Sequence, residues 1–441
     1  MRRQLFTDLY ELTMAQAYQA EHMDQIAVFE LAFREMPATR NYIVVNGLAD
    51  VIEFLTDFRF KSDDLDYLRR REEFSSGFLN RLEQLQFTGD VFAIPEGTLV
   101  FPNEPLVQVI APILEAQLME TFVLNQIHFQ SLAASKAARV VTAAKGRMVV
   151  DFGSRRAHGT DAALKVARAT YLAGGQGTSN VLAGKLYGIP VFGTMAHSYI
   201  QAHEDEFSSF EAFSNLYPET TLLVDTYDTL RGVRKVIELS AKLGARFRIV
   251  AVRLDSGDLA QLAAETRRML DEAGLPRVKI FASSELDEYK VEALVASGAP
   301  IDAFGVGTKL AVMADAPELD MAYKLVEYGG KGRFKLSTRK VLYPGRKQVF
   351  RQVEKEQIVG DVIGRFDEQL PGEALLEPIV QHGKPVVCVD LNESRRRLDR
   401  ELKRLAEPFH RLKPAASPYP VRISNRLQVD FDAVRREYLP K

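Results

Sequence analysis

A single cysteine, Cys388, in 441 residues excludes an intrachain disulfide framework and any Cys-x-x-Cys metal site. Charge of one sign is just as scarce. Lys and Arg number 57 against 59 Asp and Glu, a formal net charge of −2, so the footprint that binds nucleic acid or an anionic membrane surface is missing. No run of about 18 uncharged apolar residues occurs, and no membrane-spanning helix is expected. Three common signatures are absent too: GxxxxGK[ST], GxGxxG after a strand, and HExxH. Any ATP therefore binds without a Walker loop. The opening MRRQLFTDLYELTMAQAY sets Asp8 and Glu11 among its apolar residues and does not read as a secretory signal. With the lone cysteine, this points to a reducing cytoplasm.

What is present is an ordinary globular chain, 46% apolar and 26% charged, long enough for two or three domains. Residues 1–146 are mixed α/β. Leu9, Leu12, Met14, Ala15 and Tyr18 fall at helical spacings, and strand-like runs follow at Ile26–Phe33 and Tyr42–Asn46. TGDVFAIPEGTLVFPNEPLVQVIAPI (88–113) alternates short apolar runs with Gly and Pro and predicts a small antiparallel unit. Residues 115–140 predict a helix.

From about residue 147 to 335 the rhythm changes. Strand-like runs appear at Met148–Phe152, Pro190–Phe192, Thr221–Asp225, Arg248–Arg253, Lys279–Ala282 and Asp302–Gly305, with helix patterns between most of them. Helix stops fall at Gly174, Gly244, Gly274 and Gly298, the last two followed by Pro276 and Pro300. Strand–helix alternation every 25–30 residues or so implies a parallel sheet, and six or seven units suggest a barrel or a barrel-like open form. A doubly wound sheet would carry a Gly-rich turn after its first strand, which is missing. The segment 336–441 is more charged, with NESRRRLDRELKRLAEPFH (392–410) as a solvated helix and then Pro-rich KPAASPYP (413–420).

In parallel barrels, function collects where strands end, because the following loops share one mouth. Here six strand-like runs in succession end in polar residues: DFGSRRAHG (151–159), GTMAHS (193–198), VDTYD (224–228), VRLDSGD (252–258), ASSELD (282–287) and FGVGTKL (304–310). Arg155, Arg156 and Arg253 offer forks for carboxylate or phosphate. Small residues opening a helix pattern at GVGT leave N–H groups for a phosphate. Asp255, Asp258, Glu285 and Asp287 are candidates to hold Mg²⁺ through a phosphate. The mouth suits a phosphorylated sugar or nucleotide. Each feature alone has a plainer reading: GVGT as a turn, Arg155–Arg156 as a surface pair, Asp225 as a helix cap. His197 alone could be a metal ligand, an acid–base group, a nucleophile or a core residue, and its spacing does not decide. His158 and His203 read as solvent-facing or supporting residues.

As an ordered set, these stretches resemble the nicotinate phosphoribosyltransferase family across essentially the whole chain. The matching motifs are TDLYELTMAQAY (7–18), DFGSRRAHG (151–159), GGQGTSN (174–180), FGTMAHSYI (192–200), VDTYDTL (224–230), VRLDSGDL (252–259), SSELDEYKV (283–291) and FGVGTKL (304–310). The resemblance implies an α+β N-terminal domain beside an irregular TIM-like α/β barrel of the type II phosphoribosyltransferase kind, in a cytoplasmic homodimer with shared active sites. It implies transfer from phosphoribosyl pyrophosphate to nicotinate in NAD salvage. ATP, a co-substrate with Mg²⁺, would be hydrolysed through a phosphohistidine at the position of His197, with Asp225 as its orienting partner.

Other positions follow by the same resemblance. Tyr10, from the neighbouring subunit, would stack on the pyridine ring, with Asp8 supporting its loop. Arg155 would clamp the ring's other face or the pyrophosphate, and Arg253 would lie near base and ribose. Thr178 and Ser179 would line the substrate, and Asp255 would hold a ribose hydroxyl or Mg²⁺. Ser284 and Glu285 mark the ribose–phosphate loop; Gly305, Gly307 and Thr308 would hold the 5′-phosphate. Related nicotinamide-using enzymes carry aspartate where Ser179 stands, so serine favours a carboxylate-bearing base.

The rival in the same class is a nicotinamide or quinolinate phosphoribosyltransferase. Ser179 argues against the first, and the ATP-linked His197 motif against the second. A barrel aldolase or isomerase acting on a sugar phosphate would need a Schiff-base lysine or a strand-end catalytic glutamate, and neither stands at a convincing position.

Overall fold

The computed structural model describes residues 4–337 and 340–438. Arg2 and Arg3, and the end of the C-terminal segment at 439–441, lie outside them. The chain forms two compact units. One combines residues up to Leu132 with those from Glu318 onward, and the other is Ala133–Pro317.

In the first unit the apolar run Ile26–Phe33 is a strand as read, flanked by Met321–Tyr328 and Val107–Pro112, both antiparallel to it. They belong to a seven-stranded sheet ordered Lys331–Gly332, Met321–Tyr328, Ile26–Phe33, Val107–Pro112, Asp90–Ala93, Glu377–Gln381, Lys384–Pro385. Its centre is closed to water, so the charge it carries is paired: Glu30 meets Lys347 at 2.9 Å, both buried. The helix Leu391–Arg404 departs from the solvated reading. Ser394, Leu398 and Glu401 form a buried face, and Glu401 receives the buried guanidinium of Arg351. The charge run hid an amphipathic pattern, because its inward positions are few and one of them is acidic.

The second unit is built on a six-stranded parallel sheet in the order Gly177–Thr178, Met148–Asp151, Ala303–Val306, Lys279–Ala282, Ala251–Leu254, Thr221–Leu223. Val191 adds one parallel bridge beyond Thr178. Pro190–Phe192 thus lies beside one edge strand, while Thr221–Leu223 is the other edge: an open, barrel-like α/β arrangement. Helices cover the sheet as the sequence pattern demands. Leu259–Glu272 buries Leu259, Ala263, Thr266 and Leu270 on one stripe and turns at Gly274 with φ 75°, where a side chain would be strained. Among the described residues no helix is long and apolar enough to cross a membrane.

Candidate functional site

The strand ends of the second unit converge through their side chains. Asp225, just past Leu223, turns Oδ2 to the main-chain N–H of Asp255 (2.8 Å) and the Ser256 hydroxyl (2.6 Å). Asp255, just past Leu254, receives the Ser283 hydroxyl on Oδ1, and its Oδ2 lies 3.3 Å from Arg253 Nη2. The same Oδ2 is 3.7 Å from His197 Nε2. His197 opens the short helix His197–Gln201 and stays 41% exposed in its side chain, accessible to a small molecule. Its Nδ1 is 3.1 Å from the Thr226 hydroxyl.

This corrects one expectation. Asp225 does not orient the imidazole by a hydrogen bond; Thr226 and Asp255 are the groups that meet the ring, because Oδ2 of Asp225 is taken by the loop after Leu254. Oδ1 of Asp225 is buried without a hydrogen-bond partner. Two acids that follow His197, Asp205 and Glu206, are engaged elsewhere. Asp205 caps the helix Glu206–Leu216, and buried Glu206 pairs with Lys235 at 3.1 Å; burial pushes the Glu206 carboxyl up. His203 bonds the Tyr199 carbonyl.

Two candidate metal carboxylates resolve into helix caps. Asp258 accepts from the N–H groups of Ala260 and Gln261, and Asp287 from that of Lys290. Asp228, rather than Asp225, caps Thr229–Leu243. Glu285 is exposed, with Lys290 3.8 Å away. No group of three or more His, Cys, Asp or Glu suited to a metal occurs among the described residues. Mg²⁺ commonly takes only one or two carboxylates and leaves the rest to phosphate and water. The buried, unpartnered Oδ1 of Asp225 beside Asp255 fits that donor set.

Arg253 is the most constrained cation of the mouth. Nη1 donates to Thr194 Oγ1 at 2.9 Å and Nη2 faces Asp255, while buried Nε has no partner. A buried donor left unsatisfied costs about 1–3 kcal/mol, and this Nε is free to donate to an acceptor from outside the chain. Its guanidinium lies 5.9 Å from the ring of Phe152, which stacks on Phe281 at 5.6 Å. Both rings, with Phe192 and Thr194, line one end of an apolar cavity of about 730 Å³ whose other walls are the strand starts and the segments leading into them, residues 247–251 and 274–280; Arg253, Asp255 and His197 do not line it.

Around the rest of the mouth, Asp151 is fully buried. It accepts from Gly153 N (2.7 Å) and Thr178 Oγ1 (2.7 Å), and burial pushes its carboxyl up. Thr178 is buried, with its hydroxyl committed to Asp151 and Asn180 N. Half-buried Ser179 donates its N–H to the Asp151 carbonyl at 2.8 Å. Arg155 and Arg156 sit exposed in the turn Ser154–Arg156. Ser284 and Glu285 adopt φ 105° and 44°, a left-handed pair costing about 1–3 kcal/mol each. Gly305 is a buried strand residue paired with Val150, and a Cβ there would stand 2.6 Å from Phe152. It makes room for the rings of Phe152 and Phe281. Gly307 and Thr308 stand beyond the strand, at the start of the helix Thr308–Ala311.

In the first unit, Asp8 precedes the helix Leu9–Ala20 and accepts from the Thr121 hydroxyl at 3.1 Å. Glu11 is buried, bonded by Thr7 Oγ1 and by Thr121, and burial raises its carboxyl pKa. These bonds hold Tyr10 45% exposed, with its phenol pKa raised by partial burial and by Glu120. Thr226, Thr194, Phe152 and Asp151 were not singled out in the sequence, although each lies inside a quoted motif: Thr226 directly after Asp225, Thr194 three before His197, and Asp151 and Phe152 opening the motif that carries Arg155.

A parallel α/β sheet whose strand ends gather an arginine, two aspartates and an accessible histidine has the arrangement of an enzyme that acts on a small polar molecule. Comparison with known proteins narrows this. Residues 5–128 match the nicotinate phosphoribosyltransferase N-terminal domain, and residues 148–337 match the nicotinate phosphoribosyltransferase family. A Mycobacterium tuberculosis nicotinate phosphoribosyltransferase is 60% identical over 433 residues, 98% of this chain and 94% of that protein. One from Bacillus subtilis is 44% identical over 376 residues, 83% and 77% of the two chains. The crystal structure of human nicotinic acid phosphoribosyltransferase superposes with a TM-score of 0.87 at 30% identity, covering 97% of this chain and 99% of that one. The chain belongs to the nicotinate phosphoribosyltransferase family.

Proposed function

We propose that the protein joins nicotinate to the ribosyl group of phosphoribosyl pyrophosphate, releasing pyrophosphate, with ATP hydrolysis coupled through a phosphorylated His197. The observation that carries the choice of base is the buried, unpartnered Nε of Arg253, set beside aromatic rings where a pyridine carboxylate would accept it. Two of the guanidinium's nitrogens are already fixed by Thr194 and Asp255, so the third is held ready and little ordering cost remains on binding.

In the transfer, the ring nitrogen of nicotinate forms a bond to the anomeric carbon of ribose while the bond from that carbon to the pyrophosphate oxygen breaks. The leaving electron pair goes to pyrophosphate, and the ribose passes through an oxocarbenium-like state. Positioning and charge stabilisation carry such a step. Exposed Arg155 meets the departing charge, Gly307 and Thr308 hold the 5′-phosphate, and Ser284 and Glu285 bracket the ribose. Mg²⁺, when bound through Asp255, Asp225 and substrate oxygens, would neutralise charge on the pyrophosphate.

For the ATP step, Thr226 occupies Nδ1 of His197, which fixes the ring and leaves Nε2 to bond the γ-phosphorus as the bond to the ADP oxygen breaks; water then takes the phosphoryl group as phosphate and restores the imidazole. Tyr10 would complete the base site from a second chain in a homodimer.

Incubation with nicotinate, nicotinamide or quinolinate, each with phosphoribosyl pyrophosphate and Mg²⁺, with and without ATP, tests the reading. Nicotinate mononucleotide formed from nicotinate and stimulated by ATP is the expected result. Labelled ATP should leave acid-labile, base-stable label that His197→Ala abolishes, along with ATP hydrolysis. Slow transfer should survive in that variant, because the other groups still position the substrates. Quinolinate or nicotinamide used as well as nicotinate would overturn the reading, and label on another residue would overturn the role of His197.

A further inference from the structure

Two loops of the second unit carry the proposed phosphoribosyl contacts: 283–287 and the segment opened by Gly307. Behind them runs the helix Glu120–Ala143, and two of its residues reach both. Lys136 Nζ is 2.5 Å from Glu288 Oε2 and 3.0 Å from Asp315 Oδ1. Arg139 Nε is 3.1 Å from Glu288 Oε1 and 3.9 Å from Asp315 Oδ2, and Nη2 donates to the Tyr289 hydroxyl at 3.0 Å. No member of this quartet is more than 5% exposed in its side chain. Within the quartet two cations face two carboxylates, the pairing that buried charge requires.

The partners' places in the chain make the cluster more than a core feature. Glu288 is the first residue of the helix Glu288–Ala296, directly behind the loop 283–287. Asp315 lies just past the short helix Thr308–Ala311 that the Gly307 loop opens. Lys136 and Arg139, three residues apart on one helical face, therefore grip the trailing ends of both loops. The first loop needs such a grip. Ser284 and Glu285 are consecutive non-glycine residues at positive φ, and such strain persists only where the surroundings enforce it.

We infer that Lys136 and Arg139 are positioning residues that set the spacing between the two phosphate-binding loops, an inference that rests on the proposed phosphoribosyl pyrophosphate site. Neither side chain touches substrate. They act through Glu288 and Asp315, and no motif of the family resemblance contains Lys136 or Arg139.

A network kept only for stability can be exchanged for a charge-balanced, less polar set without harm to the fold. A positioning network cannot. The test is the double variant Lys136→Met with Asp315→Asn, which removes one cation and one carboxylate together and leaves Arg139 paired with Glu288. A second variant, Arg139→Lys, keeps all charge but loses the fork and the bond to Tyr289. Hydrogen exchange on the free protein, over 283–290 and 305–315, is read beside steady-state kinetics.

Exchange should rise in 305–315 in the double variant and in 283–290 in Arg139→Lys, while the sheet keeps its protection. KM for phosphoribosyl pyrophosphate should rise about tenfold or more, as loop misplacement does, and KM for nicotinate should stay within about twofold. Wild-type exchange in both loops with unchanged KM would overturn the inference. So would a lower Tm with exchange raised evenly through the unit and unaltered KM values, the signature of a merely structural role. Absence of turnover with phosphoribosyl pyrophosphate in the wild-type protein would instead overturn the substrate reading, and the exchange data would still decide whether the clamp exists.

Discussion

Asp225 holds Asp255 by the main chain: the N–H of Asp255 donates to Asp225 Oδ2 at 2.8 Å. One carboxylate thus shapes the loop that presents the next. Asp225→Asn keeps an oxygen for that amide, whereas Asp225→Ala removes it. Ala should lower kcat/KM for phosphoribosyl pyrophosphate about 100-fold, as small misplacements do, and Asn clearly less. Both should weaken phosphohistidine labelling without abolishing it, since the nucleophile stays. Equal damage from Asn and Ala would show that the charge matters and the amide contact does not.

Arg253 should decide the base. Truncating one partner of a buried charged hydrogen bond costs about 2–5 kcal/mol, or at least about thirtyfold in kcat/KM. Lysine keeps the charge but cannot serve Thr194, Asp255 and a substrate carboxylate at once. Arg253→Lys should therefore lose nicotinate activity by that factor and leave the poor nicotinamide activity nearly unchanged. Parallel losses for both bases would remove Arg253 from carboxylate recognition.

A site completed across two chains has a direct assay. Tyr10→Ala and His197→Ala chains, each lacking ATP-stimulated transfer alone, should regain part of that stimulated activity when mixed and allowed to exchange, because one hybrid site per dimer then has both residues. A verified mixed dimer without that stimulated activity would exclude Tyr10 from the partner's site.

His128 makes stability depend on pH. Its Nε2 accepts the Leu319 N–H at 3.0 Å, and burial lowers its pKa below the ordinary 6.5, with Glu318 opposing weakly. The folded state binds this proton less readily than the unfolded chain. The contribution is whole above about pH 6.5 and is lost as pH falls through the lower folded value. Thermal melts from pH 8 to 5 should show a decline on the acid side, and His128→Gln, which keeps an acceptor, should flatten it. An unchanged slope in that variant would assign the decline to other groups.

Much of the second unit was legible because a strand ending in charge is a local pattern. Lys279–Ala282 coincides with its observed strand, and Met148–Phe152 and Thr221–Asp225 overrun theirs by one and two residues at the C-terminal end. Gly177–Thr178 escaped notice because a two-residue strand carries no apolar run. Asp258 and Asp287 read as metal ligands although each precedes a helical pattern, the commoner meaning of aspartate there. Thr226 and Thr194 could not be found locally, since their partners come from other strand ends. In the first unit, Ile26–Phe33 was clear, but its neighbour Met321–Tyr328 lies almost 300 residues away, and no local pattern pairs the two.

Position 305 is a clearance, in the machinist's sense. A methyl group there would stand 2.6 Å from Phe152 and 2.8 Å from Phe281, closer than carbon atoms pack, so both rings would have to move. Phe152 lies under Arg253, and a change in one strand would therefore surface as slack in the choice of base at another. The tolerance of the whole mouth is set by an atom that is not there.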